Sequence, residues 1–433
     1  MPSPASNPLN RRQFLRSSAN NAAGVAAGMV GLAGVAGMAT PNDRISVGVI
    51  GVRSQGKLLA TTLAGMPEVC VTAVCDIDDH VASAAAHAVE EIQGRQPRQE
   101  RDFRRLLEDP TIDAVVIATP NHWHALMTTW ACEAGKDVYL ESPVMHSLHE
   151  GPVMREIADR TRRVVSVGLP QRSGSQFASA IDYVKSGKLG SVHLAKAWTV
   201  HLRKPIGHKA DTRPPEGVDY DLWLGPATAR AFNPNRFHFN WQWFWDYGSG
   251  ELGHWGVQML DIARWGLGVN LPRQVSAIGG KHYFHDDQET PDTLQVNYAF
   301  TGKTIAWEHR LWSPHGQEGR NAAVAFYGDL GTLIVDRGGW KVYGQKDAAV
   351  GNSSEFLVPH LQNFIRSIRT REAPACDLET GRLSSALSTL GTIAYRLGRS
   401  VDFDPALEIF PNDRAAQMMI QLEYRAPWAL PEV

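Results

Sequence analysis

The first half of the chain alternates apolar runs with stretches of helical spacing, and this alternation limits the fold more than any other feature. Apolar runs of strand length occupy residues 44–51, 69–75 and 114–119, and apolar residues with helical spacing follow the first run. Strands that alternate with helices form parallel sheets, because each helix returns the chain to the starting edge. Short strands near Tyr139 and over 164–168 extend the pattern. We therefore predict an α/β domain with a doubly wound parallel sheet over residues 40–168.

The hydrophobic pattern of the sequence changes after residue 168. Longer alternating runs cover residues 192–202, 293–300, 303–309 and 322–327. Such runs are typical of antiparallel sheets with one covered face. We predict an α+β domain over residues 169–433, with a large, mostly antiparallel open sheet and two last helices that pack back across the first domain.

Length, composition and charge limit the kinds of molecule that this protein is expected to bind. The 433 residues are 43% hydrophobic, which is enough to bury two cores. The formal net charge is -2, and both signs are mixed along the chain without a long basic run. These features argue against binding to nucleic acid or to an anionic membrane and favour small molecules as partners.

The first 39 residues are predicted to be a removable export signal. Arg11 and Arg12 precede an apolar run from Ala22 to Met38 that is rich in alanine and glycine, a pattern similar to a twin-arginine signal. The run is too weakly hydrophobic for a transmembrane span. Cleavage after Ala39 would leave a periplasmic protein with no membrane contact. The alternative, a buried N-terminal helix, fits this glycine-rich segment poorly.

A glycine-containing turn follows the first strand. Gly51, Arg53, Ser54, Gln55 and Gly56 occupy it, with Arg53 in place of the middle glycine of the G-x-G-x-x-G pattern. A strand, a tight turn and a helix N-terminus bring backbone N–H groups to the pyrophosphate of a dinucleotide. Because Arg53 should restrict close backbone approach, an ordinary strand-to-helix turn stays open as the alternative.

Asp76 closes the second strand and bears on the choice of cofactor. A carboxylate at this distance from the turn accepts hydrogen bonds from an adenosine ribose and repels a 2'-phosphate, which favours NAD over NADP. A helix cap is the alternative role, although Asp78 or Asp79 also suits it. Arg53 keeps NADP possible, because a guanidinium binds phosphate well.

Several longer motifs are more specific than the turn. They include Ala118 to His124 (ATPNHWH), Glu141-Ser142-Pro143, Gln171-Arg172 and the stretch from Asp246 to Leu252. Together they resemble the Gfo/Idh/MocA family of NAD(P)-dependent oxidoreductases, which act mostly on sugars, cyclitols and their derivatives. The resemblance covers nearly all of the chain after the signal. It implies a homodimer or homotetramer, and it implies cofactor contacts from Thr119, Pro120, Asn121, His124, Glu141 and Gln171.

The family's acid–base residues are not retained. The resemblance implies a lysine, an aspartate and a histidine, but those positions carry Ser142, His254 and Gln258. His254 and Gln258 are four residues apart, which predicts one face of one helix. Among the three, only His254 has a pKa suited to proton transfer near neutrality. A hydrogen bond from His254 to a substrate hydroxyl and a packed helix histidine are the alternatives; Asp246 is a further catalytic candidate.

Aromatic residues crowd the segment from Phe237 to Trp245. Their faces could stack on sugar C–H surfaces, whereas a dimer interface or a loop cluster on the sheet would also explain them. The predicted substrate residues are Lys196, His201, His238, Trp243, Tyr247 and His254. No metal site is predicted, because His122, His124, His238 and His254 lack tight ligand spacing.

The sequence is compatible with three functions. The first is an exported NAD(P)-dependent oxidoreductase of a sugar, with a tightly held cofactor because the periplasm should offer no maintained nicotinamide pool. The second is a redox-neutral enzyme that cleaves or epimerises a glycoside through a transient keto-sugar. The third is a non-catalytic protein that binds a sugar or the cofactor.

Overall fold

A computed structural model of the chain describes residues 44–344, 348–350 and 356–433. The predicted export signal, residues 1–39, lies outside the described residues. Within them, no helix is both long enough and apolar enough to cross a lipid bilayer.

The N-terminal sheet has six parallel strands in the order β3-β2-β1-β4-β5-β6. This confirms the predicted doubly wound sheet. The strands are β1 Ile45–Ile50, β2 Val69–Cys75, β3 Arg98–Glu100, β4 Ala114–Ile117, β5 Asp137–Glu141 and β6 Val165–Gly168. The helices are α1 Gln55–Ala64, α2 Asp79–Gln93, α3 Arg104–Glu108, α4 His124–Glu133 and α5 Glu150–Thr161.

The second sheet has nine strands and is mostly antiparallel, as predicted; β7 and β10 form the parallel pair. Its strands are β7 Val192–Val200, β8 Gln274–Gly280, β9 Thr293–Phe300, β10 Lys303–Arg310, β11 Ala322–Gly328, β12 Thr332–Asp336, β13 Gly339–Val342, β14 Ala348–Val350 and β15 Val401–Asp402. The helices of this half are α6 Ser175–Lys185, α7 Tyr220–Leu224, α8 Val257–Leu267, α9 Leu357–Thr370, α10 Leu378–Leu397 and α11 Arg414–Met418.

Helices cover one face of the second sheet and also join the two halves. α6, α8 and α10 pack on the covered face. The opposite face, called the open face here, exposes Ile278 but buries a smaller cluster around Trp198. α9 packs on the N-terminal sheet, where Leu361 and Phe364 share an apolar cluster with Leu59 of α1 and Val89 of α2. The last helices therefore hold the N-terminal sheet against the second domain.

The site lies where the carboxyl ends of β1, β2 and β4 meet a segment of the second domain. This segment, residues 217–245, is called the aromatic insertion here. Its buried rings pack into one cluster that includes Trp223, Phe237, Trp243 and Phe244. Parallel sheets bind ligands at the carboxyl ends of their strands, so the insertion faces the expected binding edge.

Candidate functional site

Two glycines close the turn between β1 and α1. Gly51 has a φ of 78°, which L side chains rarely adopt. A Cβ on Gly51 would lie 2.8 Å from the carbonyl oxygen of Ala118, and one on Gly56 would lie 1.7 Å from the carbonyl oxygen of Gly51. Arg53 does not fill the turn, because its exposed side chain lines the adjacent cleft. The turn therefore keeps its close packing despite the missing middle glycine.

The first turn of α1 is suited to an anion. Ser54 precedes this ten-residue helix, its side chain makes no capping hydrogen bond, and the first turn contains no acidic residue. The backbone N–H groups there have no partner within the helix, and the helix dipole favours negative charge. Together with the close approach of the two glycines, these groups fit the pyrophosphate of a dinucleotide.

Asp76 is held at the end of β2 with its carboxylate toward the cleft. Its Oδ2 accepts the N–H of Val52 at 2.9 Å, and its Oδ1 accepts the N–H of Asp78 at 3.1 Å. Burial raises the pKa of Asp76 to about 6, although the two N–H groups act in the opposite direction. Asp78 caps α2 by accepting from the N–H of His80 and Val81. The capping role thus belongs to Asp78, and the carboxylate of Asp76 can face a ribose.

A cleft that is partly open to solvent joins this turn to the second domain. The predicted cofactor residues that line it are Gly51, Arg53, Ser54, Gln55, Asp76, Thr119 and Pro120. On the opposite side, the lining side chains of the second domain are Leu222, Trp223, His238, Phe239, Trp241, Gln242 and His254. The sequence analysis did not single out Trp223, Phe239, Trp241 and Gln242 as site residues.

The other predicted cofactor residues lie behind the cleft surface. His124 is buried, with Nδ1 2.7 Å from the carbonyl oxygen of Pro143 and Nε2 2.8 Å from that of Thr119. Burial lowers the pKa of His124, while the two carbonyl contacts raise it. The ring thus ties the end of β4 to the segment after β5. Asn121 is buried in the turn before His124.

Glu141 contacts Gln55, one of the residues that line the cleft. Its Oε1 accepts a hydrogen bond from Nε2 of Gln55 at 3.0 Å. Burial raises the pKa of Glu141 to about 7, and the hydrogen bonds from Gln55 and from the N–H of Ser142 oppose that shift. Glu141 therefore positions a cleft residue, and any direct contact with the cofactor stays a prediction.

His254 faces the cleft from a π-helical segment, Leu252–Gly256, which precedes α8. The expected continuous α-helix is therefore interrupted; such π-helical turns are frequent at functional sites. His254 is exposed into the cleft but is otherwise surrounded by protein, which reduces its solvation. Burial lowers its pKa to about 4, Glu251 acts in the opposite direction, and Arg203 and His201 lower it further. Near neutral pH the imidazole is therefore neutral and can accept a proton, but with this pKa it is a weaker base than the sequence analysis predicted.

Gln258 lies beyond the π-helical segment and has other contacts. Its Oε1 accepts hydrogen bonds from Nε2 of Gln171 at 2.7 Å and from Nη2 of Arg337 at 3.2 Å. The guanidinium of Arg337 also lies 4.6 Å from the ring centre of Trp255. Gln171 and Gln258 thus form a polar layer behind His254, and neither is among the cleft-lining residues.

The remaining catalytic candidates are not brought to the cleft surface. Ser142 is partly buried beside Pro143, and an ideal Cβ on Gly253 would lie 4.0 Å from Cγ of Pro143. The segment after β5 therefore abuts the helical turn that carries His254. Asp246 accepts a hydrogen bond from Nη1 of Arg230 at 2.8 Å, and the same nitrogen lies 3.1 Å from Glu289. Among the predicted catalytic residues, His254 lines the cleft.

Two predicted aromatic substrate residues are buried in the insertion. Tyr247 is fully buried, with its ring centre 4.7 Å from that of Trp223 and 5.3 Å from that of His122. Trp243 is also buried, and Arg203 lies over its ring at 5.2 Å. For these two rings, the structure matches the alternative of a loop cluster. Phe239 is 52% exposed, so an aromatic face of the insertion does reach the cleft.

Lys196 and His201 lie on opposite faces of the second sheet. Lys196 pairs in register with Ala325 and forms an ion pair with Glu308 at 3.1 Å, on the open face. Side chains alternate along a strand, so Thr199 and His201 point to the covered face instead. The structure therefore does not bring Lys196 to the cleft, whereas His201 reaches the turn that carries His254.

Glu251 is the charged residue that the sequence analysis missed. It is fully buried and accepts hydrogen bonds from Thr199 at 3.2 Å, His201 at 2.8 Å and Arg203 at 2.9 Å. Burial raises its pKa, but the hydrogen bond from His201 and the charge of Arg203 lower it to about 2. Glu251 lies three residues before His254. This spacing places both side chains on one helix face, so it could have identified Glu251 from the sequence.

The histidines considered as metal ligands make separate contacts. His122 Nε2 lies 3.0 Å from the carbonyl oxygen of Trp223, and His238 Nε2 lies 2.9 Å from Oδ2 of Asp78. In the described ranges, no group of three or more His, Cys, Asp or Glu side chains is arranged to hold a metal ion.

Both halves of the chain match models of one protein family. Residues 45–169 match the model described as oxidoreductase family, NAD-binding Rossmann fold, which carries the name Gfo/Idh/MocA. Residues 198–306 and 346–430 match the C-terminal α/β domain of the same family. The glycine turn, the free helix N-terminus and Asp76 fit this assignment, so the N-terminal domain is an NAD-binding Rossmann domain.

Individual relatives agree with the family models. The scyllo-inositol 2-dehydrogenase (NAD(+)) of Bacillus subtilis strain 168 is 30% identical over 361 residues, which are 80% of this chain and 92% of that protein. A glycosyl hydrolase family 109 protein of Saccharopolyspora erythraea is 33% identical over 178 residues, which are 36% of this chain and 38% of that protein. The match thus spans well under half of that relative.

The fold also matches solved structures. Levoglucosan dehydrogenase in complex with NADH and levoglucosan superposes with a TM-score of 0.64 at 18% identity, covering 83% of this chain and 99% of that one. GenD2 from gentamicin A biosynthesis in complex with NAD gives a TM-score of 0.65 at 18% identity, covering 87% of this chain and 100% of that one. With both domains matched, the chain belongs to the Gfo/Idh/MocA family of oxidoreductases.

Proposed function

We propose that the protein is an NAD-dependent oxidoreductase that acts on a sugar or sugar derivative and holds its cofactor tightly. The observation that carries this proposal is the single cleft that joins the glycine turn and Asp76 to His254. The relatives named as scyllo-inositol and levoglucosan dehydrogenases support a cyclitol or sugar as the substrate. Aromatic side chains such as Phe239 and Trp241 give the cleft surfaces that suit sugar C–H groups.

His254 is the proposed base. When bound, NAD supplies the acceptor for the hydride of the oxidised carbinol carbon. A neutral His254 takes the hydroxyl proton of that carbinol, so the proton moves from the sugar oxygen to a ring nitrogen. The positive charge that develops on the ring is stabilised by Glu251, whose carboxylate is held ionised by His201 and Arg203. Trp241 and Gln242 line the same cleft as His254.

A redox-neutral reaction is the second candidate. In this reaction, a sugar hydroxyl is oxidised transiently, the neighbouring C–H becomes acidic, the leaving group departs, and the hydride returns. The relatives named as glycosyl hydrolase family 109 proteins favour it, as does Ser142 at the family's lysine position.

Absorbance of reduced nicotinamide separates the two candidates. Purified protein loaded with NAD is mixed with aldoses, cyclitols and aryl glycosides, and both reduced nicotinamide and released aglycone are followed. Stoichiometric reduced cofactor supports the oxidoreductase; aglycone release without net reduction supports the redox-neutral enzyme. Neither product with any sugar, from a protein that binds NAD, would favour the non-catalytic alternative.

Asp76→Ala is expected to weaken NAD binding by about 10- to 100-fold, because the ribose loses a charged hydrogen-bond acceptor. NADP binding should improve, since the N–H groups of Val52 and Asp78 are released next to Arg53 and can bind a 2'-phosphate. Titration of both cofactors by quenching of tryptophan fluorescence measures the effect. Unchanged relative affinity for NAD and NADP would contradict the assigned role of Asp76.

We further propose export by the twin-arginine route and assembly as a homodimer or homotetramer. The Arg11-Arg12 pair and the apolar run after it support export, and the open face of the second sheet supports assembly. N-terminal sequencing of protein from the periplasmic fraction tests export, with Thr40 expected as the first residue. Light scattering of the same sample tests assembly; a cytoplasmic protein or a monomer contradicts the respective proposal.

A further inference from the structure

The aromatic insertion is fastened to the N-terminal domain directly beside Asp76. Asp78 and Val218 form an antiparallel bridge. The N–H of Asp79 donates to the carbonyl oxygen of Gly217 at 3.2 Å, and the N–H of Asp219 donates to that of Ile77 at 2.9 Å. The chain after β2 and the start of the insertion therefore pair like two short strands.

A second attachment lies across the cleft. The carbonyl oxygen of Trp223 accepts from Nε1 of Trp123 at 3.1 Å and lies 3.0 Å from Nε2 of His122. Trp123 also packs so closely on Gly225 that an added Cβ would lie 2.0 Å from the indole ring. The insertion is thus anchored to the N-terminal domain at two places, and Ile77 at the first and Trp123 and Trp223 at the second line the cleft.

His238 makes a third contact between the domains. Its Nε2 lies 2.9 Å from Oδ2 of Asp78, while Oδ1 of the same carboxylate caps α2. The backbone of His238 has a φ of 55°, which is uncommon for a residue other than glycine. The ring centres of Phe237 and His238 lie 3.8 Å apart. The side chain of His238 lines the cleft together with Arg53. A ring held this firmly, in an unfavourable backbone conformation, suggests a specific role.

We propose that His238, held by Asp78, is a cofactor-binding residue that covers the adenosine half of NAD and slows its release. This inference rests on the proposed NAD-dependent function. In a doubly wound domain, the residue at the end of the second strand faces the adenosine ribose, and here that residue is Asp76. Because Asp78 is only two residues further along, His238 lies at the adenosine end. This proposal gives His238 a role toward the cofactor, whereas the sequence analysis predicted a role toward the substrate.

Binding of ADP-ribose, which contains the adenosine half without nicotinamide, distinguishes the two roles. His238→Ala is expected to weaken ADP-ribose and NAD by the same factor of about 10 to 100, the usual effect of removing an aromatic ring that covers a base. Calorimetric titration measures both affinities. Unchanged affinity for ADP-ribose combined with a raised KM for the sugar would overturn the proposal and restore the substrate role.

Release of bound NADH, followed by its fluorescence after dilution into excess NAD, tests retention without any sugar. We expect release to be about 10- to 100-fold faster in His238→Ala and in His238→Asn, which tolerates the positive φ but is too short to reach Asp78. His208→Ala is the matched control, because His208 makes a similar contact with Asp287 at 2.7 Å on the surface. A rate within about twofold of wild type in both His238 variants, or an equal increase in His208→Ala, contradicts the proposal. Wild-type protein that binds no NADH would instead overturn the proposed function itself.

Discussion

Replacement of His254 by alanine is expected to lower kcat by about 10²- to 10⁴-fold, the usual contribution of a positioned base. Among the predicted catalytic side chains, His254 lines the cleft, whereas Gln258 is engaged by Gln171 and Arg337. NAD affinity should change little, because the pyrophosphate and the ribose are assigned to other residues, the glycine turn and Asp76. Steady-state kinetics and NAD titration of the same samples measure both quantities.

The pH dependence of kcat/KM gives an independent check on His254. The pKa of His254 is lowered to about 4, so the neutral, proton-accepting form predominates at neutral pH and is lost as pH falls through about 4. We expect activity to hold on the acid side down to about pH 5 and then to decline. His87→Ala is the control for a histidine change, since His87 is 71% exposed on α2. Full turnover in His254→Ala would rule out the base assignment.

Replacement of Glu251 by glutamine is expected to lower the free energy of unfolding by about 3 kcal/mol at neutral pH, the equivalent of lowering a pKa from 4.5 to about 2. The neutral amide leaves the guanidinium of Arg203 beside a group that no longer compensates its charge, and it also changes the hydrogen bond with His201. Urea denaturation measures the loss. Glu372→Gln, which removes a surface carboxylate 3.8 Å from Arg366, should change stability by less than about 0.5 kcal/mol.

The stabilisation from Glu251 has a defined pH window. Its folded-state pKa is lowered, so its contribution is fully present above the unfolded value of 4.5 and is lost as pH falls toward about 2. Wild-type protein should therefore lose stability more steeply than Glu251→Gln between these two pH values. Parallel stability curves for the two proteins over this range would show that Glu251 is not held ionised by its neighbours.

The architecture was largely predictable because each buried strand carries its own apolar pattern. β1, β2 and β4 are continuous apolar runs, so their place in a parallel sheet followed from sequence. β3 was not predicted, because its three residues, Arg-Gln-Glu, lie at the sheet edge and have no apolar pattern. β12 and β13 were also missed, since they are short and their pairing depends on distant partners.

The site was predictable where one residue sits at a strand end. Gly51 and Asp76 follow directly from the strand, turn and helix pattern, and both line the cleft. The direction of a side chain in an irregular segment depends on tertiary packing, so sequence did not separate buried Trp243 from exposed Phe239. Glu251 was overlooked because its partners, His201 and Arg203, are about fifty residues earlier in the chain.

Transfer of deuterium tests the central claim, that one cleft brings a sugar carbinol to bound NAD beside His254. NAD-loaded protein is incubated with candidate sugars that carry deuterium on their ring carbons. It is then denatured during turnover with cold organic solvent at neutral pH, because reduced nicotinamide decomposes in acid, and the released cofactor is analysed by mass spectrometry. The oxidoreductase predicts deuterium that stays in the reduced nicotinamide, and the redox-neutral enzyme predicts it in the reduced cofactor that is trapped during turnover. Both predict far less deuterium in His254→Ala. Bound cofactor that remains unlabelled with every sugar that binds would contradict the account.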